Sequence, residues 1–206
     1  MEAPISIDLD AGRECLTTPR LLLRPLRLQD RAAVIDMHAH PDVWRVYSDD
    51  QQQATASALR LLKGAAALDP STGQTPWAVE LAPDYAYSLD VPVGSVIGIV
   101  GLLPTSFDPP FAHLADPCVE IGWRLTRAWW GHGIVTEAGL AVLAHARNQL
   151  ELAEVVSFTS DGNTRSRAVM ERLGLVRDPS ADFDHPGLDL HDPRRRHVLY
   201  RTEWRT

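Results

Sequence analysis

Cysteine and lysine are scarce in this chain of 206 residues, which has two cysteines and a single lysine. Cys15 and Cys118 lie far apart and show no metal-ligand spacing, which excludes a disulfide framework and favours a reducing compartment. Lys63 does not stand in the Gly-Lys-Ser/Thr ending that a phosphate-binding P-loop needs, so that class of nucleotide site is excluded as well.

Long apolar runs are also absent. The sequence has no uninterrupted apolar stretch of the roughly 18 residues that a membrane-spanning helix needs. Residues 1–15 are acidic and lack the basic and apolar segments of a signal peptide. We therefore expect a cytoplasmic protein with no membrane partner.

The charge balance argues against nucleic acid as a partner. The formal net charge is −7 and the sequence pI is about 5.6, whereas nucleic-acid-binding domains usually carry a basic face. Hydrophobic residues make up 45% and charged residues 23% of the chain, which is typical of a globular protein with a sizeable core. We predict an extension at residues 1–15, either mobile or forming a short added strand, and a single domain over residues 16–206.

The pattern of apolar residues predicts alternating strands and helices. Arg24 and Arg27 interrupt the run at 21–28, as expected of a strand with one partly wet edge. A loop is expected around Pro83–Pro92, and Gly174 is expected to end a helix. The predicted order is strand 21–28, helices 29–40 and 51–68, strands 75–81, 94–103 and 117–125, helix 133–149, strand 154–160, helix 164–173, loop 178–196 and strand 197–204. This order predicts a mixed α+β fold with helices packed on a sheet.

The segment most informative about function joins a strand to a helix through two glycines, Gly131 and Gly133. Glycines allow close approach of a ligand, and the free N–H groups at a helix start favour an anion such as a pyrophosphate. A tight turn without a ligand would have the same pattern. Thr136 stands where a dinucleotide fingerprint needs a third glycine or an alanine, which excludes that fingerprint.

Four segments resemble the GNAT superfamily of acyl-CoA-dependent N-acyltransferases, within it the branch of the RimJ/RimL ribosomal-protein N-terminal acetyltransferases. They are TPRLLLRPLRLQD, EIGWRLTRAWWGHGIVTEA, NTRSRAVMERLGL and HVLYRTEW, which together span most of residues 17–204. The resemblance implies the GNAT fold, a mixed central sheet splayed between the EIGWRL and EVVSFTS strands with helices on both faces. It also implies acetyl-CoA as cofactor and an amine as acceptor.

The same resemblance implies which residues bind the cofactor. The family's phosphate turn aligns with 128–133, where Ala128 replaces the usual Arg or Gln. Asn163 matches a residue that contacts the cofactor arm in similar enzymes, although asparagine is also a favoured helix cap. The implied pyrophosphate-binding residues are Trp130, Gly131, His132, Gly133, Ile134 and Val135, and those that pair with the pantetheine arm are Trp123, Arg124 and Leu125.

Acid–base roles follow from the chemistry of acyl transfer, which needs a deprotonated amine and a neutralised thiolate. The resemblance gives Glu120 the role of base, with ion pairing to an arginine or substrate orientation as the alternatives. Met170 stands where many relatives have a proton-donating tyrosine. Ser166 matches the serine that RimL-like enzymes offer instead and would also contact the cofactor, unless it is an ordinary polar residue of the first helical turn. No cysteine stands in a motif for a covalent intermediate, so we expect direct attack on the thioester.

The acceptor stays open at this stage, between a peptide N-terminus and a small-molecule amine. The acidic loop 178–196, with Asp49 and Asp50, would favour a cationic amine, and its spacing matches no metal site. Arg194–Arg196 would contact the CoA 3′-phosphate or only solvent. A homodimer is open, because relatives often dimerise. The alternatives to an enzyme are a non-catalytic acyl-CoA-binding regulatory module and a structural protein with an unused turn.

Overall fold

The computed structural model describes residues 6–10, 13–67, 75–105, 107, 110–111 and 118–204. The described strands are β1 Ser6–Asp10, β2 Arg13–Thr17, β3 Leu21–Pro25, β4 Pro76–Leu81, β5 Val96–Pro104, β6 Val119–Leu125, β7 Val156–Ser160, β8 Val176–Arg177, β9 Phe183–Asp184 and β10 Arg196–Arg201. The described helices are α1 Arg31–Met37, α2 Pro41–Trp44, α3 Gln51–Ala67, α4 Pro83–Ser88, α5 Ile134–Asn148 and α6 Thr164–Arg172.

The strands form one mixed sheet, in the order β1-β2-β3-β4-β5-β6-β7-β10-β8, with β9 paired to β10. Neighbouring strands are antiparallel except β6 and β7, which are parallel and share a single register pair, Glu120 with Val156. The Ser157 hydroxyl donates to the Ile121 carbonyl at 2.8 Å beside this pair. Beyond it the two strands part, and we call the opening the gap. The predicted splay is therefore confirmed.

Helices cover both faces of the sheet, as predicted. On the α5 face, α5 and α6 pack over the larger core, which includes Ile121 and Met170. On the α1 face, α1 and α3 pack over a second core that includes Ile99 of β5. Ile99 is in register with Arg124, and side chains alternate along a strand. The side chains of Glu120 and Arg124 therefore point to the α1 face.

The local signals around α5 and α6 predicted these helices well. Four apolar residues of α5 that recur every three or four positions are all buried, namely Val135, Ala138, Val142 and Ala146. Gly174, at φ +77°, adopts the left-handed conformation directly after Leu173, the C-cap of α6. The Gly174 N–H donates to the Glu171 carbonyl and the Leu175 N–H to the Met170 carbonyl, which is a Schellman motif.

Three irregular segments hold more structure than the sequence predicted. The expected loop around Pro83–Pro92 begins with α4, because proline is well accommodated in the first turn of a helix. The expected loop 178–196 contains β9, which pairs with β10. Within the predicted extension, β1 pairs with β2, and β2 pairs with β3, so the added-strand alternative holds for the described part.

The interpretation of Arg24 as a residue at a wet edge was wrong. β3 lies between β2 and β4, and the Arg24 side chain is only 13% exposed. Its guanidinium donates to Glu80 Oε1 at 2.7 Å and to both carboxylate oxygens of Asp30 at 2.7 and 2.9 Å. The arginine interrupts the apolar run because it neutralises two buried carboxylates.

Candidate active site

The turn before α5 has the geometry of an anion site. Gly131 and Gly133 adopt positive φ angles of +82° and +74°, which side-chain-bearing residues rarely adopt. Gly133 is the N-cap of α5, and no side chain caps this helix. Its first N–H groups are therefore left for an external acceptor, at the positive end of the helix dipole.

The turn is fixed from two sides. Glu137 of α5 accepts hydrogen bonds from the Thr18 hydroxyl at 2.5 Å and from the Arg20 side chain at 2.6 Å. Arg20 also donates to the His132 carbonyl at 3.0 Å. Trp130 donates from its indole N–H to the Leu125 carbonyl at 2.9 Å. The N–H groups of the turn are thus held in place before any ligand binds.

The backbone of Trp123 faces the gap. The Thr126 N–H donates to the Ile97 carbonyl of β5, and the Arg124 carbonyl also faces β5, next to Gly98. Backbone groups alternate in direction along a strand, so the N–H and carbonyl of Trp123 point toward β7, where the gap leaves them free to pair. Arg124 was also expected to pair with the pantetheine arm, but its backbone faces β5 and is turned away from the gap.

Asn163 caps α6 and orients Ser166. Its side-chain oxygen accepts from the Ser166 N–H at 3.3 Å, and its amide nitrogen donates to Thr159 Oγ1 at 2.9 Å and to Ser166 Oγ at 3.0 Å. Because Ser166 Oγ accepts this bond, its own proton stays available for a further acceptor. Met170, in contrast, is 1% exposed and belongs to the core.

Glu120 stands where β6 and β7 part. Among the described residues, no group donates a hydrogen bond to its carboxyl or forms an ion pair with it. One carboxyl oxygen lies 3.7 Å from the position that a Cβ on Gly122 would occupy, so the side chain leans along the strand over this glycine. Loss of water raises the pKa of Glu120 to about 8, although the positive charge of Arg124 opposes the shift. This carboxyl is suited to accept a proton.

Sequence reasoning missed two residues that contact the Arg124 side chain, His38 and Tyr47. His38 is buried, and its Nδ1–H donates to the Val34 carbonyl at 2.6 Å, so that Nε2 can accept from Arg124 Nη1 at 3.4 Å. The Arg124 guanidinium lies over the Tyr47 ring, 4.6 Å from its centre. No local pattern signals these contacts, because they join α1 and the segment after α2 to a strand some 80 residues later.

Arginines in and beside the acidic loop 178–196 form ion pairs with four of its five aspartates, which weakens the argument for a cationic amine. Arg194 pairs with Asp192 and Asp49, both at 2.6 Å, and Arg195 and Arg196 both pair with Asp184. Asp50 instead accepts from the first N–H groups of α3. Among the described residues, no cluster of His, Cys, Asp or Glu could hold a metal ion.

A comparison with protein families decides the class of the protein. The acetyltransferase (GNAT) domain matches residues 20–176, which covers the glycine turn and the Asn163 cap. The chain belongs to the GNAT family of acetyltransferases. GNAT enzymes use acetyl-CoA, so this chain is a transferase with acetyl-CoA as its acyl donor, and the uncapped start of α5 and the free backbone of Trp123 fit that molecule.

The individual proteins that this chain resembles support the family assignment. The chain is 24% identical to the FsC-acetyl coenzyme A-N(2)-transacetylase of Aspergillus fumigatus, over 92% of this chain and 77% of that protein. It is 27% identical to an acetyltransferase of known structure from Agrobacterium tumefaciens, with a TM-score of 0.66, covering 96% of this chain and 98% of that one. The fold also matches Mycobacterium smegmatis RimJ in complex with CoA-disulfide, at 19% identity and a TM-score of 0.63, covering 96% and 86%. No helix in the described residues could cross a membrane.

Replacing Gly131 by valine should weaken acetyl-CoA binding by at least about tenfold, which is about 1.4 kcal/mol. A β-branched residue resists a φ of +82° and would turn the N–H groups away from the bound phosphate. Calorimetric titration measures the change. Gly94→Val is the matched control, because Gly94 has the same φ of +82° and the same open surroundings but precedes β5. Equal affinity of the Gly131 variant and wild type would contradict the assignment of the turn.

Proposed function

We propose that this GNAT enzyme acetylates a primary amine by direct attack on the thioester in the gap between β6 and β7. The observation that carries the proposal is the unpaired carboxyl of Glu120, with its raised pKa, at the point where the strands part. We assign the pyrophosphate to the N–H groups of the turn 130–135 and the pantetheine arm to the backbone of Trp123 and Leu125. The name of the Aspergillus relative, an N(2)-transacetylase, supports nitrogen as the accepting atom.

The acid and base approach the gap from opposite faces of the sheet. Glu120 points to the α1 face, whereas Ser166 is tied through Asn163 to Thr159, whose side chain lies on the α5 face with Ser157. Acetyl-CoA supplies an activated acyl group. Glu120 takes a proton from the amine as the new C–N bond forms, and the Ser166 hydroxyl donates a hydrogen bond to the sulfur as the C–S bond breaks. The proton on Glu120 then passes to water or to the thiolate.

The class of acceptor, the cellular location and the oligomeric state are further parts of this proposal. The fold match to RimL, a ribosomal L7/L12 alpha-N-protein acetyltransferase, supports a peptide N-terminus as one class of acceptor, and small-molecule amines form the other. Cytoplasmic residence and a homodimer stay predictions from the sequence. The alternative of a non-catalytic acyl-CoA-binding module rested on Met170, which has no proton to donate. The match to the acetyltransferase family and the proposed role of Ser166 favour catalysis.

The proposal is tested by measuring CoA thiol release from acetyl-CoA over a panel of primary amines and peptides. Release that depends on the amine, with a matching acetylated product found by mass spectrometry, would support it. Tight acetyl-CoA binding without amine-dependent release from any member of the panel would contradict it.

Replacing Ser166 by alanine should lower kcat by about 10- to 100-fold, because the leaving thiolate loses a hydrogen bond. Acetyl-CoA affinity should stay within a few fold of the wild-type value. The Ser166 backbone N–H still donates to the Asn163 side chain, so the cap of α6 is kept. Ser166→Thr keeps a hydroxyl and should recover most of the rate in the same thiol-release assay. An alanine variant with wild-type kcat would remove Ser166 from the mechanism.

A further inference from the structure

Arg124 is a partly buried cation without a counter-ion. Among the described residues, no carboxylate lies within ion-pair distance of its guanidinium, which contacts His38 and Tyr47 instead. Seven other partly buried arginines of the described residues each pair with a carboxylate, namely Arg20, Arg24, Arg167, Arg177, Arg194, Arg195 and Arg201. Arg124 differs from these seven in that its charge has no carboxylate beside it.

Both groups that hold Arg124 are neutral. Burial, with the Arg124 charge, lowers the pKa of His38 to about 4, so the imidazole is uncharged at neutral pH. Burial raises the pKa of the Tyr47 phenol, which keeps it protonated. These contacts fix the guanidinium in position but leave its charge uncompensated. A cation shielded from water in this way gains most from an anionic partner.

The position of Arg124 relative to Glu120 indicates where such an anion would come from. The two residues are four positions apart on β6, on the same α1 face, and only Gly122 stands between them on that face. Gly122 has no side chain, and the Glu120 carboxyl leans over it. A small molecule lying over Gly122 would have the proposed base at one end and the free guanidinium at the other.

We propose that the acceptor is a primary amine that also carries a carboxylate, as a free amino acid does, and that Arg124 binds this carboxylate while the amine lies at Glu120. The proposal rests on the proposed function, because it names the acceptor class of the same site. Arginine binds carboxylates through two parallel hydrogen bonds, which would orient the amine toward the gap. A polyamine or an aminoglycoside has no group for Arg124 and would bring positive charge to it.

The test compares each amine with and without its carboxylate. Initial rates of thiol release are measured at saturating acetyl-CoA for the standard amino acids, β-alanine and γ-aminobutyrate, and for their carboxamides. We expect the best free acid to exceed its carboxamide in kcat/KM by about 10- to 100-fold in wild type, and this ratio to fall toward one in Arg124→Gln. Arg60→Gln, which removes an exposed arginine on α3, should keep the wild-type ratio.

Several outcomes would overturn the inference. They are equal rates for acids and carboxamides, a preference for carboxamides or peptides, and an Arg124→Gln variant that keeps the wild-type ratio. Any of these would leave the proposed function standing, with a different acceptor or a different residue binding the carboxylate.

A thermal-shift screen keeps the inference testable should no amine be acetylated, an outcome that would contradict the proposed function. The same panel is added to the CoA-saturated protein, because a ligand stabilises the folded state that binds it. Stabilisation by a free acid but not by its carboxamide, lost in Arg124→Gln, would support the carboxylate site. No carboxylate-dependent shift in wild type would overturn it.

Discussion

Replacing Glu120 by glutamine is expected to lower kcat by about 10²- to 10⁴-fold, the usual contribution of a general base. Glutamine keeps the shape of the side chain but cannot take the proton from the amine. Acetyl-CoA affinity should change by no more than a few fold, because the phosphate turn lies at the other end of β6. Calorimetry and steady-state rates measure the two quantities separately.

The pH dependence of the rate should identify Glu120 as the base. The carboxyl acts only when ionised, and its pKa is about 8, so the wild-type rate should fall as pH drops below about 8. The Gln variant should lack this acidic limb. Glu203→Gln, at an exposed position after β10, should keep it. A Glu120 variant with near-wild-type kcat or an unchanged profile would exclude the base role.

Glu120→Gln should raise the stability of the folded protein near pH 8, although it lowers the rate. The folded-state pKa of Glu120 is raised above its ordinary value of 4.5, so the folded protein binds this proton more tightly than the unfolded chain does. Stability from this group is therefore present below pH 4.5 and is lost as pH rises to about 8. Denaturation near pH 8 should show Glu120→Gln to be more stable than wild type. A less stable variant would indicate that Glu120 has a structural role.

Replacing Arg24 by methionine is expected to destabilise the fold by about 3–5 kcal/mol, because it leaves two buried carboxylates without their cation. The side chains of Glu80 and Asp30 are each 7% exposed, so water cannot replace the lost hydrogen bonds. Chemical denaturation at neutral pH measures the change. Arg24→Met combined with Glu80→Gln and Asp30→Asn should recover part of the loss, since the stranded charges are removed.

An exposed ion pair is the control for this prediction. Arg127 pairs with Asp42 at 2.9 Å, and the two side chains are 44% and 41% exposed. Arg127→Met should therefore cost no more than about 1 kcal/mol, which is typical of surface pairs. If Arg24→Met costs as little as Arg127→Met, the buried cluster is not a principal source of stability.

The parts of the site that the sequence predicted are those encoded locally. The turn at Gly131 and Gly133 and the cap at Asn163 each lie within a few residues of the helix they begin, so spacing and residue type are enough to place them. The start of α4 at Pro83 was missed because proline before a polar segment also indicates a loop.

The parts that were missed depend on contacts between distant segments. The roles of Arg24 and Arg124 follow from which side chains face them, and the partners Glu80 and His38 lie 56 and 86 positions away. Alternation along a strand gives the side to which each arginine points only once the register of the neighbouring strands is known. From the sequence alone, a single charged residue in a strand is therefore predicted to lie at the surface.

The most direct test of the central claim is a crystal structure of the protein with acetyl-CoA bound. We expect phosphate oxygens to accept hydrogen bonds from the N–H groups of 131–135, and the pantetheine arm to pair with the backbone of Trp123 in the gap. The thioester should then lie between Glu120 and Ser166. Acetyl-CoA bound elsewhere, or with its thioester out of reach of both side chains, would contradict the account.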